Sequence, residues 1–295
     1  MKKLLSLIIS LILIFTVSAS VLLIFFLTGY EIHRNVSYGD APCEVFDVYI
    51  PKSAYKNKEC GAVLFIHGGS WSGGDKAEEE LRCRTVANGG HIAISMNYTL
   101  YKDEDKGVYN VGKVLDEIDL ALERVKNYAE NLGITVIYGA TAGYSAGAHL
   151  SMLYSYSRGE SAPIEIKFTA NMAGPADIRP EIWGEDLSIA IGERLSGKTI
   201  TADELRLGEA DTILREISPV TYINSDTPPS LFMYGGADTT VSHLNGDALR
   251  KRFDELGIEY DYLFLPDANH ALMANPRVRL AYPKKLLEYC ERYFN

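Results

Sequence analysis

Cysteine is scarce: Cys43, Cys60, Cys83 and Cys290 are the four in 295 residues, and no two stand at Cys-x-x-Cys spacing. That absence removes the usual sequence support for a thiolate zinc site or a redox dithiol. Free buried thiols are the expected state, and a disulfide, with Cys43 and Cys60 nearest in sequence, would require an oxidising compartment. Clustered positive charge is missing as well. Beyond Lys2 and Lys3 no Lys/Arg cluster is present, and the formal net charge is −10, which argues against a nucleic-acid partner and favours a neutral substrate. The glycine-rich loop at 67–74 lacks the Gly-Lys-Ser/Thr ending of a phosphate cradle. The acidic stretch 102–106 lacks ligand spacing and reads as a solvated loop. No metal and no organic cofactor is expected.

Long apolar runs are rare after the first thirty residues, but one opens the chain. Positions 4–30 carry no charge and are dominated by Leu, Ile, Val and Phe, enough to span a bilayer core of about 30 Å as a helix. Residues 1–30 are therefore read as an N-terminal membrane anchor, a transmembrane helix, with a signal peptide cleaved near Ala19 as the alternative. Lys2 and Lys3 precede the run, so the positive-inside rule places the remainder outside the cytoplasm. Residues 31–295 form one domain, a common size for a single α/β core.

Within that domain, Gly143, Ser145 and Gly147 form a Gly-x-Ser-x-Gly pattern between a small, apolar run and a stretch able to start a helix. A serine on a sharp strand-to-helix turn is held exposed at the carboxyl end of a sheet. Alone this could be a glycine-rich turn with a passive serine. A hydroxyl nucleophile needs a base, the base needs an orienting acid, and the oxyanion needs preorganised N–H donors. Each has a candidate. His67-Gly68-Gly69-Ser70-Trp71 follows an apolar run, Asp238 follows Tyr234-Gly235-Gly236-Ala237, and His270 sits after Asp267-Ala268-Asn269.

The rest of the pattern alternates strands and helices. Strands are expected at 44–50, half-buried, and at 62–66, 91–97, 167–172, 231–234 and 259–265, with another entering the turn at Ser145. The polar stretch 52–59 reads as a hairpin-like link. Val114, Ile118, Leu122 and Val125 recur at helical spacing, ending near Gly133, and a terminal helix is expected over 279–293. Residues 178–218 read as a few short helices. His67 reads as a loop brace and His149 as a packing or helix-bracing residue. His243 is a rival base at the start of a helix, and Asp177, Asp186 and Asp211 are rival acids.

These segments resemble the α/β-hydrolase superfamily, and more narrowly its His-Gly-Gly-x-Trp serine esterases of the hormone-sensitive-lipase-like and arylformamidase-like branches. The resemblance covers residues 43–294. Tyr144 stands where these esterases often carry Asp or His, and Ser70 replaces the third loop glycine of the lipase-like branch. The resemblance implies a mostly parallel, doubly wound sheet with helices on both faces and a lid insertion at 178–218. It also implies a Ser145–His270–Asp238 triad, in the order Ser, Asp, His, and an oxyanion hole from the N–H groups of Gly69, Ser70 and Ala146. Trp71 and Tyr144 are expected against the substrate. The implied activity is that of a carboxylesterase acting on small or medium acyl esters. Alternatives are an arylformamidase, a serine peptidase, and a non-catalytic binding module on the same fold.

Overall fold

A computed structural model describes residues 29–294. Eight strands form one sheet in the order β1-β2-β4-β3-β5-β6-β7-β8. They are β1 (Tyr30–Ser37), β2 (Val45–Pro51), β3 (Glu59–Ile66), β4 (Ile92–Met96), β5 (Thr135–Tyr144), β6 (Ile166–Met172), β7 (Ser230–Gly235) and β8 (Tyr260–Leu265). β1 and β2 run antiparallel to their neighbours, and every pairing from β4 to β8 is parallel. Parallel strands need crossovers that cover both faces, which explains the continuous apolar runs in β3 and β7.

The helices are α1 (Lys52–Asn57), α2 (Glu80–Asn88), α3 (Val111–Asn131), α4 (Ala146–Ser157), α5 (Pro180–Trp183), α6 (Glu185–Ser196), α7 (Ala202–Arg206), α8 (Asp211–Glu216), α9 (Leu244–Leu256) and α10 (Pro276–Tyr293). On one side of the sheet, Val114, Ile118 and Leu122 of α3 and Leu150 of α4 pack with Leu64 and Ile94. Phe253 of α9 joins Phe232 and Met152 on that side. Across the sheet, Val86 of α2 and Tyr282 and Leu286 of α10 bury Phe65, Phe168 and Leu231. Asn110 caps α3, its side chain accepting from Lys113 N–H at 3.2 Å, and thereby satisfies one of the orphan donors at a helix start. This is the α/β arrangement expected.

Three local expectations need correction. The apolar run assigned as an anchor ends in structure of another kind, because Tyr30 is the first residue of the edge strand β1. Residues 1–28 lie outside the described residues, and no helix among the described ones is long and apolar enough to cross a membrane. The 52–59 link is not a hairpin: it is α1, closed by Lys58 in the left-handed region at φ 67°, and β2 pairs with β4 rather than β3. Finally, β2 is buried on both faces from Phe46 onward. The Asp47 carboxylate is buried between Arg34 Nη1 at 2.8 Å and Lys76 Nζ at 2.7 Å. The four cysteines are free thiols.

Candidate active site

Ser145 sits between the end of β5 and the start of α4 with φ 54° and ψ −121°. A non-glycine residue there is strained and persists only where its surroundings over-determine it. Its N–H donates to Met172 O at 2.9 Å, and its carbonyl accepts from His149 N–H at 3.0 Å. The flanking glycines are needed for close approach. A Cβ on Gly147 would lie 1.9 Å from Ile66 O, and one on Gly143 would lie 2.4 Å from Gly147 O. Removing those carbons lets α4 start against β3, which leaves the hydroxyl at the carboxyl edge of the sheet.

Two loops bring the other side chains there. Asp238 follows β7, and its Oδ1 accepts from Thr240 N–H at 2.8 Å and Val241 N–H at 2.9 Å. Its Oδ2 is 2.7 Å from His270 Nδ1. Burial pushes this carboxyl up, but the His270 bond and the two backbone N–H bonds outweigh burial and hold it below the usual range. A carboxylate only accepts, so Nδ1 carries the proton and Nε2 faces Ser145 Oγ at 3.0 Å as an acceptor. The glycines before Asp238 again permit contact, since a Cβ on Gly235 would meet Ala268 O at 2.2 Å. The acid loop and the histidine loop therefore pack backbone to backbone, joined by Ala237 N–H to Ala268 O at 3.0 Å.

The loop after β3 lies against the serine from the other side. Gly69, Ser70 and Trp71 all have positive φ, at 112°, 53° and 60°. Gly69 O accepts from Ser72 N–H at 3.0 Å and Gly73 N–H at 2.9 Å, closing a tight turn. Ser70, Trp71, Ser145 and Ala146 line one cavity of about 130 Å³ with Pro175, Trp183, Ile191, Arg194, Thr240 and Val241. Six non-glycine residues among those described have positive φ, and three of them are in this lining. Strain is concentrated where the serine is. A larger hollow of about 600 Å³ around Cys60, His91 and Phe294 holds none of these groups.

Other predicted residues fall in different places. Tyr144, expected against the substrate, turns towards the histidine loop. Its hydroxyl donates to His270 O at 2.6 Å and its ring centre is 5.1 Å from the His270 ring. Burial, then the nearby Asp238 charge, pushes that hydroxyl up to about 12, so it remains a donor. His67 braces its loop through Gly68 O at 2.7 Å and packs on Tyr98. His243 contacts Asp247 and Phe264 rather than Ser145. Asp177 is paired with Arg179.

His149 does more than brace its own helix. Fully buried, it donates from Nε2 to Ile217 O at 2.8 Å and accepts at Nδ1 from Trp71 Nε1–H at 3.2 Å. Burial drives its pKa down to about 4, so the ring is neutral and can hold this donor-acceptor pair. It ties α4 to the glycine-rich loop and to the end of the 178–218 segment. Sequence reasoning missed Arg194 and Trp183, which reach the cavity from the short helices α6 and α5 and carry no spacing signal. Both tryptophans of the chain line this cavity.

A largely parallel sheet with a strained serine after β5, a carboxylate after β7 and a histidine after β8 defines the α/β-hydrolase class. The family model BD-FAE matches residues 46–253, and the chain belongs to that family. Among curated relatives, Esterase LipC of Mycobacterium tuberculosis is 21% identical over 82% of this chain and 60% of its own. The kynurenine formamidase of Danio rerio is 25% identical over 50% of this chain and 47% of its own. The chain thus spans between about half and three fifths of the length of these relatives. A truncated carbohydrate esterase from gut microbiota superposes with a TM-score of 0.73 at 19% identity, covering 90% of this chain and 98% of that one. Esterase B of Lactobacillus rhamnosis gives 0.70 at 19% identity, covering 90% and 87%. At such identities these structures share the fold.

Proposed function

We propose that the protein is a serine hydrolase, a carboxylesterase for short acyl esters. The observation that carries this is the hydrogen-bonded series Asp238–His270–Ser145 opening on a small cavity. Ser145 Oγ attacks the ester carbonyl while His270 Nε2 takes its proton. As the tetrahedral species collapses, His270 returns that proton to the leaving alcohol, and water repeats the cycle on the acyl-enzyme. Asp238 holds the imidazole tautomer and offsets its charge when protonated. The oxyanion is received by the N–H groups of Ala146, Gly69 and Ser70, a lost donor of this kind costing about 3 kcal/mol of barrier. The 178–218 segment acts as a lid, since Trp183, Ile191 and Arg194 come from it, and it limits substrate size. The volume, about 130 Å³, suits a group of a few heavy atoms, far below the hundreds of Å³ of drug-sized sites.

Hydrolysis of ethyl or p-nitrophenyl esters across acyl lengths tests the reading. Rates should peak at short chains, and Ser145→Ala should lower kcat by about 10³-fold or more. A variant as active as the wild type refutes it. The similarity to a named kynurenine formamidase favours a second reading, N-formyl arylamine cleavage by the same serine. Release of formate from N-formylaniline faster than from matched esters would select it. We further propose that the 4–30 run anchors the domain outside the cytoplasm. Membrane fractionation with external protease treatment of intact cells checks this, and a protected domain contradicts it.

A further inference from the structure

Arg194 stands on α6 in the wall of the Ser145 cavity. Its Nη1 donates to Ser70 O at 3.1 Å, and its guanidinium carbon lies 5.0 Å from the centre of the Tyr101 ring. These contacts fix the position of the charge without neutralising it. Among the described residues no carboxylate lies within 4.0 Å of the Arg194 guanidinium. Two other arginines of the 178–218 segment do hold acids: Arg179 has Asp177 and Arg206 has Glu185. The neighbouring acid, Glu193, is engaged elsewhere, with Lys106 Nζ and with Ile200 N–H. A guanidinium carries five N–H donors in a fork matched to a carboxylate. With one donor on Ser70, the remaining ones include enough for a two-point contact.

Resting on the esterase reading above, we propose that the preferred substrate carries a carboxylate a few atoms from the scissile carbonyl and that Arg194 selects it. The geometry restricts its distance. Arg194 touches the carbonyl of Ser70, a residue of the proposed oxyanion site, and lines the same cavity of about 130 Å³ as Ser145. Overall acidity does not oppose this. The net charge of −10 is spread over the chain, and charges beyond a Debye length of about 8 Å at physiological salt are largely screened. Arg194 is the one charged residue among the described residues lining the cavity.

The carboxylate could belong to the acyl chain or to the alcohol, and matched ester pairs separate the two. Monoethyl succinate against ethyl pentanoate tests the acyl side, and 3-carboxyphenyl butyrate against phenyl butyrate tests the alcohol side. In one arm the wild type should show the higher kcat/KM for the anionic ester. Arg194→Gln keeps donors for Ser70 but loses the charge. It should lower the anionic ester's kcat/KM about tenfold more than the neutral ester's, as expected for one partly exposed charge-assisted contact. Arg194→Lys should retain most of the preference. In the wild type the preference should shrink with added salt, a readout that needs no variant. A wild type with no anionic preference in either arm overturns the proposal, as does an equal loss on both esters in Arg194→Gln, which would make Arg194 a clamp on the loop. If neither member of either pair is cleaved faster than by Ser145→Ala, the esterase reading itself fails. Cleavage of neutral esters without anionic preference removes this inference alone.

Discussion

A single hydrogen bond decides the state of His270, since the buried Asp238 carboxylate accepts from Nδ1 and so leaves Nε2 as an acceptor towards Ser145. Asp238→Asn keeps the size but offers an amide that can donate to Nδ1, placing the proton on the wrong nitrogen. We expect kcat to fall by about 10⁴ with KM little changed, the cost such a tautomer reversal carries in related triads. Steady-state kinetics checks it. His149 gives a stability prediction. Its pKa of about 4 in the folded protein is depressed from 6.5, so the unfolded chain binds the extra proton between those values. The stability it contributes is complete above about pH 6.5 and is lost as pH falls towards 4, on the order of 3 kcal/mol. His149→Phe should flatten that part of the stability–pH curve measured by urea unfolding. It should also destabilise at pH 7, because Trp71 Nε1–H and Ile217 O are left unpaired in a buried place. An unchanged slope would show that another group titrates there.

At the scale of elements, the site depends on loops pressed against each other. Gly147→Ala would place a carbon 1.9 Å from the Ile66 carbonyl, a backbone atom with no freedom to rotate away. α4 must shift from β3, and a loss above about 3 kcal/mol is expected in urea or thermal unfolding. Gly235→Ala instead forces the Asp238 loop off the His270 loop. It should reduce kcat more strongly than KM changes, and recovery of full activity would argue against a role for that contact.

These elements also show what could be read without coordinates. The serine turn, the carboxylate after β7 and the histidine after β8 were legible because each couples small residues to one polar group at a strand end. The helix around Val114 to Val125 was legible by its period. The burial of both faces of β2 was not, because the cations that pair Asp47, Arg34 and Lys76, come from distant positions. β1 was hidden by its junction with the apolar run. Tyr144 was expected against the substrate, but its bond to the His270 carbonyl depends on a loop 126 residues away and carries no sequence signal. Arg194 and Trp183 come from short helices whose placement is set by tertiary packing alone.

For the molecule as a whole, the eight-stranded sheet lies entirely within residues 30–265, so the catalytic proposal is independent of the N-terminal run. A fragment beginning at Gly29 should be released to the soluble fraction and keep the full chain's kcat/KM on short esters. A fragment that stays with membranes would point to an apolar surface elsewhere, such as exposed Leu187 and Leu207 of the 178–218 segment. The central claim is that three distant side chains make one hydroxyl nucleophilic. Treatment of the folded protein with a fluorophosphonate, followed by peptide mass mapping, tests it most directly. The account predicts one adduct per chain, on Ser145, and its loss in Ser145→Ala. An unlabelled wild-type protein, or an adduct at another residue, would contradict it.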